Sequence, residues 1–286
     1  MKKLLNILPC LILAVFITEI VAVMVPKPDR DLHTREFGRL PVLLNGRIQP
    51  FDSVGRNALL QIRSTGDVPL EEIPSWKFWQ HAKKIKATEW LMEVMMQPEA
   101  ADTRPIFLIH HPDLLSELKL GDKGVEKSGL RYYTFNEIKP VVHEIGDQGE
   151  KAGKLKPEER TPFQRQAFKL ANAVMLYHRL KNSLQPEQST NFVADLQHYE
   201  AGLRALYARD AGQPFEEAVL KQMAELAGPI QMVSRMAYPL ILPPLPGESR
   251  DHWVNMGASL LRPLEGLQEN RRLTKEDTTI HPAANY

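Results

Sequence analysis

The first apolar run, Leu4 to Val25, follows Lys2 and Lys3 and is broken only by Asn6, Pro9, Thr18 and Glu19. At about 1.5 Å per helical residue it is long enough to cross a hydrocarbon core of about 30 Å. Glu19 lies toward the outer end, where its carboxylate reaches the interface at reduced cost. The uninterrupted core Leu11 to Ile17 also has signal-peptide length, with Ala22 ahead of a cleavage point, although no A-x-A is present. Residues 1–26 therefore read as an anchor or a signal segment. Both place Lys2 and Lys3 on the cytoplasmic side and the body outside.

Residues 27–36 form a polar tether, and then the period of the pattern changes. Val42 to Leu44 and Arg47 to Gln49 flank Asn45-Gly46, the dipeptide that supplies two positive φ angles for a type I′ hairpin. Pro50 stops the second strand. Asp52 or Ser53 is placed to cap a helix carrying Val54, Ala58, Leu59 and Ile62 on one face. Trp76, Phe78 and Trp79 cluster next. Trp90, Leu91, Val94 and Met95 repeat at helical spacing until Pro98. Pro105 to Ile109 reads as a short buried strand broken by His110-His111-Pro112, and Asp113 or Ser116 begins a short helix. Gly121 to Gly129 reads as a loop, Arg131 to Phe135 as an extended piece, and Gly146 to Pro157 as the best internal linker.

The second half is mainly helical. Phe163, Ala167, Leu170, Val174 and Tyr177 keep one face; Phe192, Leu196, Tyr199, Leu203 and Leu206 keep another, with Ser189 or Thr190 at its start. A third helix is expected from Phe215 to Ala227, closed by Gly228-Pro229. Tyr238 to Pro246 is too rich in proline for a helix or central strand and reads as an extended connection. Ser249 is expected to start a helix carrying Trp253, Met256, Leu260 and Leu261, followed by a polar, mobile tail from Gln268. The expectation is an α+β, predominantly α fold: an N-terminal membrane helix, small hairpin and strand elements, an α+β part over 37–145, a mainly helical part over 158–267 and a tail over 268–286.

Composition narrows the chemistry. Lys+Arg number 36 against 35 Asp+Glu, so no global field favours nucleic acid or an acidic ligand. Cys10 is the single cysteine and lies inside the first apolar run, which excludes an intrachain disulfide and CxxC redox chemistry. Neither HExxH nor G-x-S-x-G is present, nor a glycine-rich phosphate loop.

The stretch FGRLPVLLNGRIQPFDSVGRNALLQI, Phe37 to Ile62, resembles the GR-x-x-P-x-D-x-x-x-R region of a periplasmic module in system II cytochrome c synthesis proteins, the ResB/CcsA group. The matching positions are Gly46, Arg47, Pro50, Asp52 and Arg56. Two later blocks are similar in order and spacing: Lys86 to Leu91 leading to Pro105–Ile109, and Leu242 to Pro246 leading to Trp253 and Leu260-Leu261. The resemblance implies a component of c-type cytochrome assembly at a bacterial inner membrane, with its body in the periplasm. Its implied partners are a membrane-embedded synthesis subunit that delivers haem, and the apocytochrome. Nothing after Arg262 is apolar enough to form the multi-helix bundle that commonly follows this module.

Among individual side chains, Asp52 and Arg56 are spaced for an i,i+4 ion pair, and Arg47 can offer its guanidinium to a haem propionate or a partner carboxylate. His111 and His252 are the candidates for haem iron, since imidazole is the usual axial donor; strand-end packing and a helix-start position are their structural alternatives. No metal site and no catalytic residues are assigned. The function expected is positioning of partners rather than catalysis. A haem-independent envelope scaffold is the alternative, and a secreted hydrolase with dispersed catalytic residues ranks third.

Overall fold

Asn45 and Gly46 both take positive φ, 51° and 71°, and turn the chain so that Pro41–Leu44 (β1) pairs antiparallel with Arg47–Pro50 (β2). That is the type I′ turn expected of the Asn-Gly dipeptide. The computed structural model describes residues 12–21, 33–70, 83–121, 123–127, 129–245, 247–268 and 273–280. Two units are distinguished, residues 1–35 and 36–286.

In the first unit, residues 12–21 form a helix, α1, with every side chain exposed. The rest of the expected anchor and Cys10 lie outside the described residues. Among the described residues no helix is long and apolar enough to cross a membrane; α1 alone extends about 15 Å.

The second unit is α+β and predominantly helical. Thr34–Arg39 (α2) leads into the hairpin, and Phe51–Arg63 (α3) follows it without a break. Val54, Ala58, Leu59 and Ile62 are buried as the spacing predicts. Asp52 and Ser53 do not cap this helix: Pro50 occupies the N-cap position, and no side chain accepts from the first turn. Asp67–Pro69 (β3) pairs with Lys84–Lys86 (β4), which feeds Ala87–Met96 (α4) and the single turn Pro98–Ala101 (α5). The Trp76, Phe78 and Trp79 cluster lies outside the described residues.

A three-stranded antiparallel sheet follows, in the order Phe107–Leu108 (β5), Leu130–Tyr133 (β7), Val125–Lys127 (β6), with Pro112–Glu117 (α6) between β5 and β6. The expected Gly121–Gly129 loop thus contains a strand. Gly124 explains why it is glycine-rich: its φ is +80°, and a Cβ there would lie 2.8 Å from the Tyr133 ring. Thr134 and Glu137 close a reciprocal capping box on the short helix Phe135–Ile138 (α7).

Val142–Gly153 (α8) occupies most of the expected linker. Its charged residues face solvent while Ile145, Gly149 and Ala152 are buried at i, i+4, i+7. A Cβ on Gly149 would stand 2.2 Å from that of Ala171, so the glycine lets α8 lie close against Pro162–Lys181 (α9). The polar and charged residues that made this segment read as a linker are its solvent face, and Ile145, Gly149 and Ala152 are its packing face.

Phe192–Asp210 (α10) is capped by Asn191, not Ser189 or Thr190: the Asn191 side chain accepts from the Ala194 amide at 3.2 Å. Glu217–Met236 (α11) does not end at Gly228-Pro229 but runs through Pro229. A proline inside a helix costs about 3 kcal/mol; burial of Ile230 and Val233 beyond it offsets that loss. The connection is extended over residues 238–245 as expected, and Leu240 bridges Leu43 while Leu242 bridges Val254. The bridge at Val254 keeps the chain extended there, so the last helix, Met256–Gln268 (α12), starts later than Ser249. Asn255 caps it, accepting from the Ala258 amide and donating to the Ser234 carbonyl, both at 2.8 Å.

The tail is not free throughout. Leu273 and Thr278 are buried, and Ile280 packs on the core. One apolar cluster runs from Phe37 through Trp90, Phe107, Tyr177 and Leu203 to Leu273, so the two expected halves share a core.

Candidate functional site

The hairpin and α3 hold all five motif positions. Gly46 supplies the positive φ of the turn. Pro50 is extended, at φ −74° and ψ 152°, and directs the chain into the helix. The expected ion pair is present: Arg56 Nε donates to Asp52 Oδ2 at 2.8 Å. The other carboxylate oxygen accepts from Thr88 Oγ1 at 2.5 Å. Burial pushes the Asp52 carboxyl up, but the Thr88 hydroxyl, Arg56 and Lys86 outweigh it and hold it below the ordinary range. Asp52 is therefore a tie between α3 and α4 rather than a cap.

That tie joins the first two sequence blocks of the family resemblance. Gly55 reinforces it, since a Cβ there would lie 2.9 Å from the Ala87 carbonyl oxygen. The chain just ahead of the third block pairs with β1: Leu43 N–H donates to the Leu240 carbonyl at 2.8 Å, and Leu240 N–H returns a bond at 3.0 Å. The outer edge, β2, pairs with no further strand among the described residues. The Arg47 side chain is exposed there and has no ion-pair or hydrogen-bond partner among the described residues, and the Ile48 beside it is 63 % exposed. An unpaired edge, a free guanidinium and a bare apolar side chain together suit protein contact.

The two histidine candidates are not brought together. His111 occupies the N-cap position of α6 without capping it. Its ring stands edge-on to Phe163 at 5.8 Å, and its Nδ1 is buried with no hydrogen bond, the nearest carboxylate oxygen of Asp113 being 4.0 Å away. His252 is exposed on the turn before α12, where its amide donates to the Ser249 carbonyl at 2.9 Å. Among the described residues no group of three His, Cys, Asp or Glu side chains is placed to hold a metal.

A charged cluster that sequence reading missed lies in the core. The Lys181 ammonium, wholly buried, sits 2.9 Å from Asp102 Oδ2 and 2.6 Å from Glu187 Oε1, and 4.8 Å from the Phe135 ring centre. Tyr177 donates to Asp102 Oδ1 at 2.8 Å. Burial and the Asp102 carboxylate push the Tyr177 hydroxyl well above its ordinary value, so it stays protonated as a donor. The cluster fastens the end of α5 to the end of α9 and to the 182–191 connection. Its signal in the sequence was register: Lys181 follows Tyr177 by four, on the face of Phe163, Ala167, Leu170 and Val174.

His178 is next to this cluster, edge-on to Phe135 at 5.0 Å. Burial lowers its pKa, with Lys181 and Lys139 acting in the same direction against Glu187 and Asp102. Unfolded, it takes up a proton near pH 6.5. Its contribution to stability is thus present above about pH 6.5 and is lost as pH falls through the lower folded value. The unfolding free energy from urea titrations is expected to fall between pH 7.5 and 5.5, by less than about 1.4 kcal/mol per pH unit from this group. His178→Gln is expected to flatten the slope.

The connection after α9 also walls a cleft of about 210 Å³ with the start of α10 and the Pro229 region of α11. Small-molecule sites usually measure about 300–1,000 Å³, so this one is too small to enclose a haem. Comparison with protein-family models, curated proteins and solved structures returns no match to this chain.

Proposed function

We propose that the protein is a membrane-anchored periplasmic component of c-type cytochrome assembly that positions a haem-delivering membrane subunit or the apocytochrome. The observation that carries this reading is that the hairpin-and-helix block touches the second block through Asp52 and Thr88, and touches the chain just ahead of the third through Leu43 and Leu240. Segments far apart in sequence that converge on one unit are what a shared module requires. The hairpin's open edge, with Arg47 and Ile48, is the partner-facing surface, and its work is docking rather than chemistry.

Helix α1 supports the anchor. Ile12, Leu13, Val15, Phe16, Ile17, Ile20 and Val21 are all exposed, and they surround the helix instead of forming one stripe. A helix apolar all round suits lipid better than water. Haem chemistry is assigned to the partner: the His111 ring packs against Phe163, and the cleft is too small for the cofactor.

The test is purification of the full chain from its native membrane, with haem absorbance and partner identity read on one sample. A multi-span haem protein or an apocytochrome is expected to co-purify, and Arg47→Glu to reduce its recovery. Recovery of haem-free envelope partners alone would replace this reading with a general scaffold.

A further inference from the structure

The cleft between the 186–190 connection, α10 and α11 has a composition that specifies an occupant, and it does not depend on the cytochrome reading. Phe192, Leu196, Leu226, Pro229 and Ile230 supply an apolar lining, and the one ionised group is Asp195. Asp195 accepts a hydrogen bond from the Ser189 hydroxyl, but no cation lies within ion-pair distance of it among the described residues. Gln188 and Thr190 add neutral polar groups. The lining therefore offers one negative charge beside an apolar floor.

The wall is held in place before anything binds. Glu187 reaches inward to Lys181 at 2.6 Å, while the Ser189 amide donates to the Pro186 carbonyl at 3.0 Å. These bonds fix a connection that would otherwise have to be ordered on binding, and this lowers the entropic cost of docking. A volume of about 210 Å³ suits a bulky side chain rather than a whole cofactor.

We propose that this cleft docks an extended segment of a partner protein through one bulky apolar side chain, with an adjacent lysine or arginine of that segment on Asp195. Charge complementarity selects this occupant over an acidic or purely apolar one.

The full chain in detergent micelles is titrated against a labelled hexapeptide, Gly-Ser-Lys-Phe-Ser-Gly, and two twins carrying Glu-Phe or Lys-Ser at its centre. Fluorescence anisotropy is expected to show saturable binding of the Lys-Phe peptide, weakened by added salt. Asp195→Asn is expected to weaken it about fivefold, the size of a partly exposed ion pair. Leu226→Arg is expected to abolish it, and both twins to bind less well. Asp195→Asn changes no apolar contact, so it keeps the test valid if Leu226→Arg fails to fold. Equal affinity for the Glu-Phe twin, or no binding of any peptide at millimolar concentration, overturns the proposal. So does concentration-dependent self-association that Leu226→Arg removes, which would assign the cleft to a second copy of the chain.

Discussion

Lys181→Ala is expected to destabilise the protein by about 3–5 kcal/mol, the cost typical of breaking a buried ion pair from one side. Lys181 is wholly buried, and removing it leaves the Asp102 carboxylate, itself only 10 % exposed, without a cation. Tyr177 still donates to Asp102, but one neutral hydrogen bond does not replace an ammonium. Glu187 is 25 % exposed and can turn toward water, so the larger part of the loss falls on Asp102. Lys181→Met combined with Asp102→Leu is expected to recover more than half of the deficit, because it removes the stranded charge with its partner. Urea denaturation of Lys181→Met, of Asp102→Leu and of the double variant reads the coupling directly. A double variant no more stable than Lys181→Ala would mean that the cluster's hydrogen bonds, rather than its charges, hold α5 to α9.

Gly257→Ala is expected to cost about 3 kcal/mol, at the upper end for overpacking. The added Cβ would stand 2.2 Å from the Ser234 amide nitrogen and 2.6 Å from the Ile230 carbonyl oxygen. Both atoms belong to the backbone of α11, so no side chain can swing aside. The first turn of α12 must move outward, weakening the Asn255–Ser234 bond beside it. Gly146→Ala provides the contrast. That glycine lies in α8 with nothing within 4 Å of the new Cβ, and the same substitution is expected to stabilise by about 0.5–1 kcal/mol. Thermal melts of both variants distinguish steric crowding from helix propensity.

Local signals carried the elements wherever one residue type had one physical use. Asn45-Gly46 forms its turn, the Val54–Ile62 face is buried, and Phe163 to Tyr177 packs inward because period and chemistry agree. Reading failed where one residue served two ends. The polar, charged run 146–157 looked like a linker, yet Gly149 within it packs a helix, and its missing Cβ is what admits Ala171. Pro229 looked like a stop, but buried residues beyond it carry α11 onward. Ser249 looked like a helix start, while the chain was still extended at Val254. At the candidate site, the Asp52–Arg56 pair followed from spacing alone. Its bond to Thr88 did not, because a contact between separate segments leaves no local period. The Lys181 cluster was hidden for a related reason: a lysine at a helix end ordinarily reads as solvated, and only its register betrayed it.

The pairing of Leu43 with Leu240 also sets an order of events during synthesis. The hairpin can form as soon as its own residues emerge, but Leu240, which bridges its inner edge at Leu43, emerges only after α3 to α11 have been made. At about 5–20 residues per second, that edge waits on the order of ten seconds or more. Throughout that interval the nascent chain presents two unpaired edges rather than one, and either can capture a neighbouring extended segment. Arrival of Leu240 bridges one of them at Leu43 and leaves the Arg47–Pro50 edge as the side still open to other chains, so the docking side is chosen by a segment made long after the hairpin itself.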